Sequence, residues 1–193
     1  MGKSSRMKKE RREMAKGLDL WHYTTNAHIR EIFDSGALKP TAIRIDEGER
    51  PALWLSTNSD WERTVTKRLR LSTGDATPAL QRDELANAGI IPVRIKVDAT
   101  SVKVLDWIKF KKVSGIRLRT AKRLETTAKE NGANPSEWYA TFESIPLDNW
   151  ISLDFWVNGK WVSHNLEEYY SMKQHELLQE IEQAHEGRNQ SNG

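Results

Sequence analysis

The chain has 193 residues and a mass of 22.2 kDa, enough for one domain with a sizeable core and short of two. Hydrophobic residues make up 37%, charged residues 30%, and the mean hydropathy is −0.71; no run of about 18 apolar residues is present to form a membrane-spanning helix. Cysteine is absent, which excludes disulfides, thiolate metal sites and cysteine nucleophiles and makes a reducing cytoplasm the expected location.

The net charge of +3 is unevenly spread. Residues 1–16 hold seven basic and two acidic residues and have no apolar stretch behind them, which fits a basic, disordered tail and not a secretory signal. The remainder is slightly acidic. Within it, Lys109, Lys111, Lys112, Arg117, Arg119, Lys122 and Arg123 follow one another with no carboxylate between Trp107 and Leu124. Such a block is either a solvated face or a surface for a phosphate-bearing partner such as RNA or DNA.

The ordered chain is expected to begin near Leu18. Leu18–Thr25 is apolar and aromatic enough for a strand, and Asn26 is placed to cap a helix over 27–35 that stops at Gly36. Residues 37–45 read as extended, and Ala52–Ser56 as a short apolar strand. Asn58 or Ser59 is placed to cap a helix from Asp60 to about Leu71. Residues 72–90 form an excursion with one short helix. The alternation of Ile91–Val97 predicts a strand, and Val102–Ile108 a further one. A polar helix is predicted over 117–131.

From Trp138 the pattern is strand-rich, through WYATFESI and WISLDFWV to the turn Asn158-Gly159 and KWVSH, an aromatic hairpin with a type I′ turn. An amphipathic helix over 166–186 and a tail over 187–193 complete the chain. The expected domain therefore spans 17–165, and the mixed order of elements predicts an α+β fold. No P-loop, dinucleotide fingerprint or HExxH is present, and the five histidines have no partners at ligand spacing, so no metal is expected.

One histidine stands apart. His22 interrupts an otherwise apolar strand, where an imidazole needs hydrogen-bond partners. Leu20-Trp21-His22-Tyr23-Thr24 resembles the first core strand of the ADP-ribosyltransferase superfamily, including poly-ADP-ribose polymerases, diphtheria-toxin-like enzymes and RNA 2′-phosphotransferases. The following IREIFDSGALKP and ALWLSTNSDWERTVTKR are similar to the helix and the strand-plus-helix that come next in that family, and YATFESI offers a carboxylate for the strand start that holds its catalytic glutamate.

The resemblance implies split antiparallel sheets with flanking helices and a C-terminal helix. It also implies NAD as co-substrate and transfer of ADP-ribose to a macromolecule, as in a toxin or effector. Glu143 is then the expected catalytic acid, with Glu137 and Asp154 behind it. His22, Tyr23, Thr24, Trp54, Ser56, Thr57 and Arg63 are the expected NAD-binding residues, with Lys67, Arg30 or Arg44 as further phosphate contacts. The basic residues Lys109, Lys111, Lys112, Arg117 and Arg119 are expected to bind the target, and the acidic C-terminal helix to pack on its own domain or dock an inhibitor protein.

The chain departs from the family at Tyr23, where the family has glycine, and at Thr141, where arginine-modifying members have a second acid. Two alternatives stay open. One is an RNA 2′-phosphotransferase on the same fold. The other is a non-enzymatic module that binds single-stranded nucleic acid through tryptophans and basic patches.

Overall fold

The computed structural model describes residues 17–42, 45–69, 74–167, 169 and 171. The expected basic tail, Arg44, most of the expected C-terminal helix and the final tail lie outside them.

The described elements run in the order β1 (Leu20–Thr25), α1 (Asn26–Asp34), β2 (Ala37–Leu38), β3 (Leu53–Ser56), α2 (Arg82–Asn87), β4 (Pro92–Val97) and β5 (Leu105–Asp106). They continue with α3 (Trp107–Val113), α4 (Leu118–Glu130), β6 (Trp138–Thr141), β7 (Ile145–Pro146), β8 (Trp150–Val157) and β9 (Lys160–His164). Seven strands form one sheet, in the order β5-β6-β3-β1-β4-β8-β9, and every neighbouring pair is antiparallel. β2 and β7 pair as a separate ribbon. This is an α+β architecture. No helix among the described residues is long and apolar enough to cross a membrane.

Period-two side-chain alternation gives the sheet two faces. Leu20, Leu53, Leu55, Val93, Ile95, Leu153 and Phe155 pack on one face, covered by Ile29, Ile32 and Phe33 of α1. Burying each such aliphatic side chain contributes about 1.5–3 kcal/mol. On the opposite face two smaller clusters lie side by side. Trp107, Phe110, Ala121, Ala128, Trp138 and Ala140 join α3 and α4 to β6, while Trp21, Tyr23, Trp61 and Leu85 join β1 to α2 and the loop after β3.

β4 and the β8–β9 hairpin form as the alternation predicts, and Asn158 and Gly159 take φ values of 51° and 76°, as a type I′ turn requires. Leu166 opens a helical turn whose Tyr169 stacks near Phe33 and Phe155.

Three local expectations are corrected. Asn26 does not cap α1 with its side chain; it clasps Ile91, receiving its amide at 3.1 Å and donating to its carbonyl at 2.9 Å. The helix expected from Asp60 does not form. Trp61 and Glu62 are both drawn inside, Thr64, Val65 and Thr66 are β-branched, and Lys67 makes a bridge to Leu80. The strand expected over 102–108 ends at Asp106, whose carboxylate accepts the Lys109 amide at 2.8 Å and starts α3 in its place.

Candidate functional site

β1 and β3 touch through a single paired position, Trp21 opposite Ser56, and Ser56 in turn faces Trp138 of β6. Beyond that rung the ladder between β1 and β3 stops. His22 fills the gap with its side chain: Nδ1 lies 3.0 Å from the Trp54 carbonyl. A carbonyl only accepts, so Nδ1 carries the proton and the neutral ring offers Nε2 as an acceptor. Burial holds the His22 pKa below its ordinary value of 6.5; the Trp54 carbonyl opposes this and the positive charge of Lys67 assists it.

A cavity of about 300 Å³ opens at this seam, within the range of small-molecule pockets. Trp21, His22, Tyr23, Trp54, Ser56 and Trp138 line it from the strands, Glu62, Thr64 and Val65 from the loop, and Leu124 and Thr127 from α4. Tyr23 is therefore a wall of the cavity. Its ring packs edge-on to Trp61 at 5.1 Å, and its hydroxyl donates to the Asn58 carbonyl. Burial, as the largest influence, raises its pKa, so it stays a protonated donor.

Asn58 is a hub that sequence reasoning treated only as a helix cap. Its side-chain amide donates to Glu137 at 3.2 Å, its backbone amide donates to the Ser56 hydroxyl at 3.1 Å, and its carbonyl receives Tyr23. Ser56 then donates to Glu62 at 3.1 Å. β1, β3, β6 and the 57–64 loop are tied together at the rim of the cavity.

This geometry relocates the candidate acid. Glu143 was expected at a strand start, but β6 begins at Trp138 and ends at Thr141, so Glu143 lies two residues past its end. It is exposed, does not line the cavity, and accepts the Lys103 amide at 3.4 Å. The carboxylate just before the strand is Glu137, beside Trp138 and bonded to Asn58; it too lies outside the cavity lining, and its link to the cavity runs through Asn58 and Ser56. Asp154 is also set aside, because it is occupied by Arg94 at 2.7 Å and Ser163 at 2.6 Å.

The other expected residues divide. His22, Tyr23, Trp54 and Ser56 share the cavity; Trp54 is 36% exposed and packs near Phe110 and Trp107. Thr24 is buried outside the cavity lining, and Thr57 donates its amide to the Glu137 carbonyl at 3.0 Å. Arg63 is exposed, off any helix, and lies against Gly132.

The basic block is partly neutralised by acids that its own stretch of sequence lacks. Lys109 pairs with Asp106 at 2.9 Å, Lys111 with Glu125 at 2.6 Å, and Arg117 with Glu47 at 3.6 Å, leaving Lys112, Arg119, Lys122 and Arg123 as exposed members outside these pairs. Bonds from Lys111 and then Trp107 lower the pKa of Glu125, and the Arg117 amide leads the lowering at Asp46.

Among the described residues no group of three His, Asp or Glu is arranged to hold a metal. No family model, curated protein or solved structure matches the chain.

Proposed function

We propose that the chain is an NAD-dependent ADP-ribosyltransferase whose acid is Glu137. The observation that carries this reading is the seam between β1 and β3. There an imidazole in the first core strand and a hydroxyl at the end of the next line one aromatic cavity, and the carboxylate just before β6 is linked to that hydroxyl through Asn58. These are the positions that the sequence resemblance implies, with the acid moved from Glu143 to Glu137.

The residues fit the ring-bearing end of a dinucleotide. Aromatic walls suit a flat ring, and a volume of about 300 Å³ leaves the phosphates and adenosine outside. Nε2 of His22 accepts a ribose hydroxyl. As the bond between ribose C1′ and the ring nitrogen breaks, its electron pair passes to nitrogen and positive charge grows on the sugar. Glu137, held by Asn58, faces that charge with its own negative one. An acceptor oxygen or nitrogen then bonds C1′ and loses its proton to solvent. Lys112, Arg119, Lys122 and Arg123 are the basic side chains left to guide an anionic acceptor.

Incubation with labelled NAD tests the reading through nicotinamide release and label transfer. Glu137→Gln is expected to slow release by about a hundredfold or more, while Glu143→Gln stays within about twofold of the parent. Undetectable NAD consumption, or a loss that follows Glu143 and spares Glu137, overturns it.

A further inference from the structure

The cavity lining contains one carboxylate, Glu62, for which the proposed bond cleavage has no use. Glu62 is 5% exposed and lines the cavity beside Trp21, Tyr23, Trp54 and Trp138. Its Oε2 accepts the Ser56 hydroxyl at 3.1 Å, and its Oε1 accepts the amide and hydroxyl of Thr64 at 3.2 and 2.8 Å. All three donors are neutral. Among the described residues, the ion pairs engage Asp19, Glu47, Asp60, Asp83, Asp106, Glu125 and Asp154, and none engages Glu62. A buried carboxylate held by neutral donors alone keeps an uncompensated charge directed at its surroundings.

Those surroundings are π-faces, which favour cations. Arg94 already stacks on Trp21, its guanidinium 4.2 Å from the ring centroid, so Tyr23, Trp54 and Trp138 are the more available walls. The indole N–H groups of Trp21 and Trp138, two residues of this cavity, find no acceptor in the protein, although with almost no accessible surface they reach a ligand only if the rings shift. The cavity therefore combines a carboxylate and π-faces. Its complement is a flat ring that bears positive charge.

We infer that Glu62 makes this cavity, whose assignment to the ring-bearing end of the dinucleotide the inference rests on, selective for a positively charged ring over a neutral ring of the same shape. Glu62 is then a specificity residue that draws the charged ring in and loses its hold once bond cleavage makes that ring neutral. Substrate is retained and the ring product leaves.

Titration of tryptophan fluorescence with two isosteric probes tests this. 1-Methylnicotinamide is a cation, and 3-methylbenzamide has the same shape without the charge. The parent protein is expected to bind the cation about tenfold tighter. Glu62→Gln is expected to bring the ratio to about one and to leave affinity for the neutral probe within about twofold, whereas Glu137→Gln keeps the preference. Glu62→Leu, which leaves no unpaired buried amide, gives the same readout should the glutamine variant not fold. Equal affinities in the parent, no binding of either probe, or a preference that survives loss of the Glu62 charge overturns the inference. A preference present in a protein that consumes no NAD overturns the transferase reading and leaves the role of Glu62 standing.

Discussion

His22 does two jobs with one ring, and protonation ends one of them, the acceptor role of Nε2, while charging a buried group. Its Nδ1–H bridges to the Trp54 carbonyl where the β1–β3 ladder stops, and its Nε2 is left as an acceptor in the cavity. Because the folded protein holds this pKa below 6.5, the unfolded chain takes up the proton first as pH falls. The stabilisation is fully present above 6.5 and is lost as pH drops from there through the lowered folded value. His22→Asn keeps an amide donor for the Trp54 carbonyl and removes the titration. Its urea-unfolding free energy should therefore fall less than the parent's between pH 7.5 and pH 5.5. Parallel losses in the two proteins would place the acid sensitivity elsewhere.

At the scale of the element, what was legible depended on how local its cause was. β4 and the β8–β9 hairpin announce themselves because alternation and an Asn-Gly turn act within a few residues. The end of β6 is set at a distance. WYATFESI carries β propensity throughout, yet pairing stops at Thr141 because its partner β3 runs out at Leu53, and the Thr141 hydroxyl then accepts the Glu143 amide at 3.0 Å to begin a turn. The register that decides between Glu137 and Glu143 lies on another strand, so no window along the chain contains it. The site was legible in part for the same reason. His22, Trp54 and Ser56 lie on correctly read strands, whereas Glu62 and Asn58 acquire their roles from a loop mistaken for a helix.

The β8–β9 hairpin is fastened by charge as well as by its turn. Asp154 is 1% exposed, faces Arg94 across from β4, and accepts Ser163 from β9. Arg94 also lies over Trp21 and Trp161 and donates to the Ser59 carbonyl, which links the hairpin to the loop beside the cavity. Asp154→Ala leaves that guanidinium without its partner and should cost about 3 kcal/mol in denaturant unfolding. A loss under about 1 kcal/mol would show that the aromatic sandwich alone secures Arg94.

For the whole molecule, the one-position contact between β1 and β3 divides the seven strands into two leaves, β5-β6-β3 and β1-β4-β8-β9. Main-chain bonding stitches each leaf internally, and at the fold line it is nearly spent. Whatever lodges in the crease touches both leaves at once and so acts as a splint, stabilising the folded chain in proportion to the logarithm of its concentration. In the Glu137→Gln protein, where turnover is slowed, the melting temperature should climb with each tenfold addition of NAD, and amide exchange should slow first at Leu53–Ser56. A flat melting curve across that series would mean that the crease carries no such load. With a rising curve, residence in the crease is a mechanical event as much as a chemical one, and binding strength and the stiffness of the hinge are read from the same measurement.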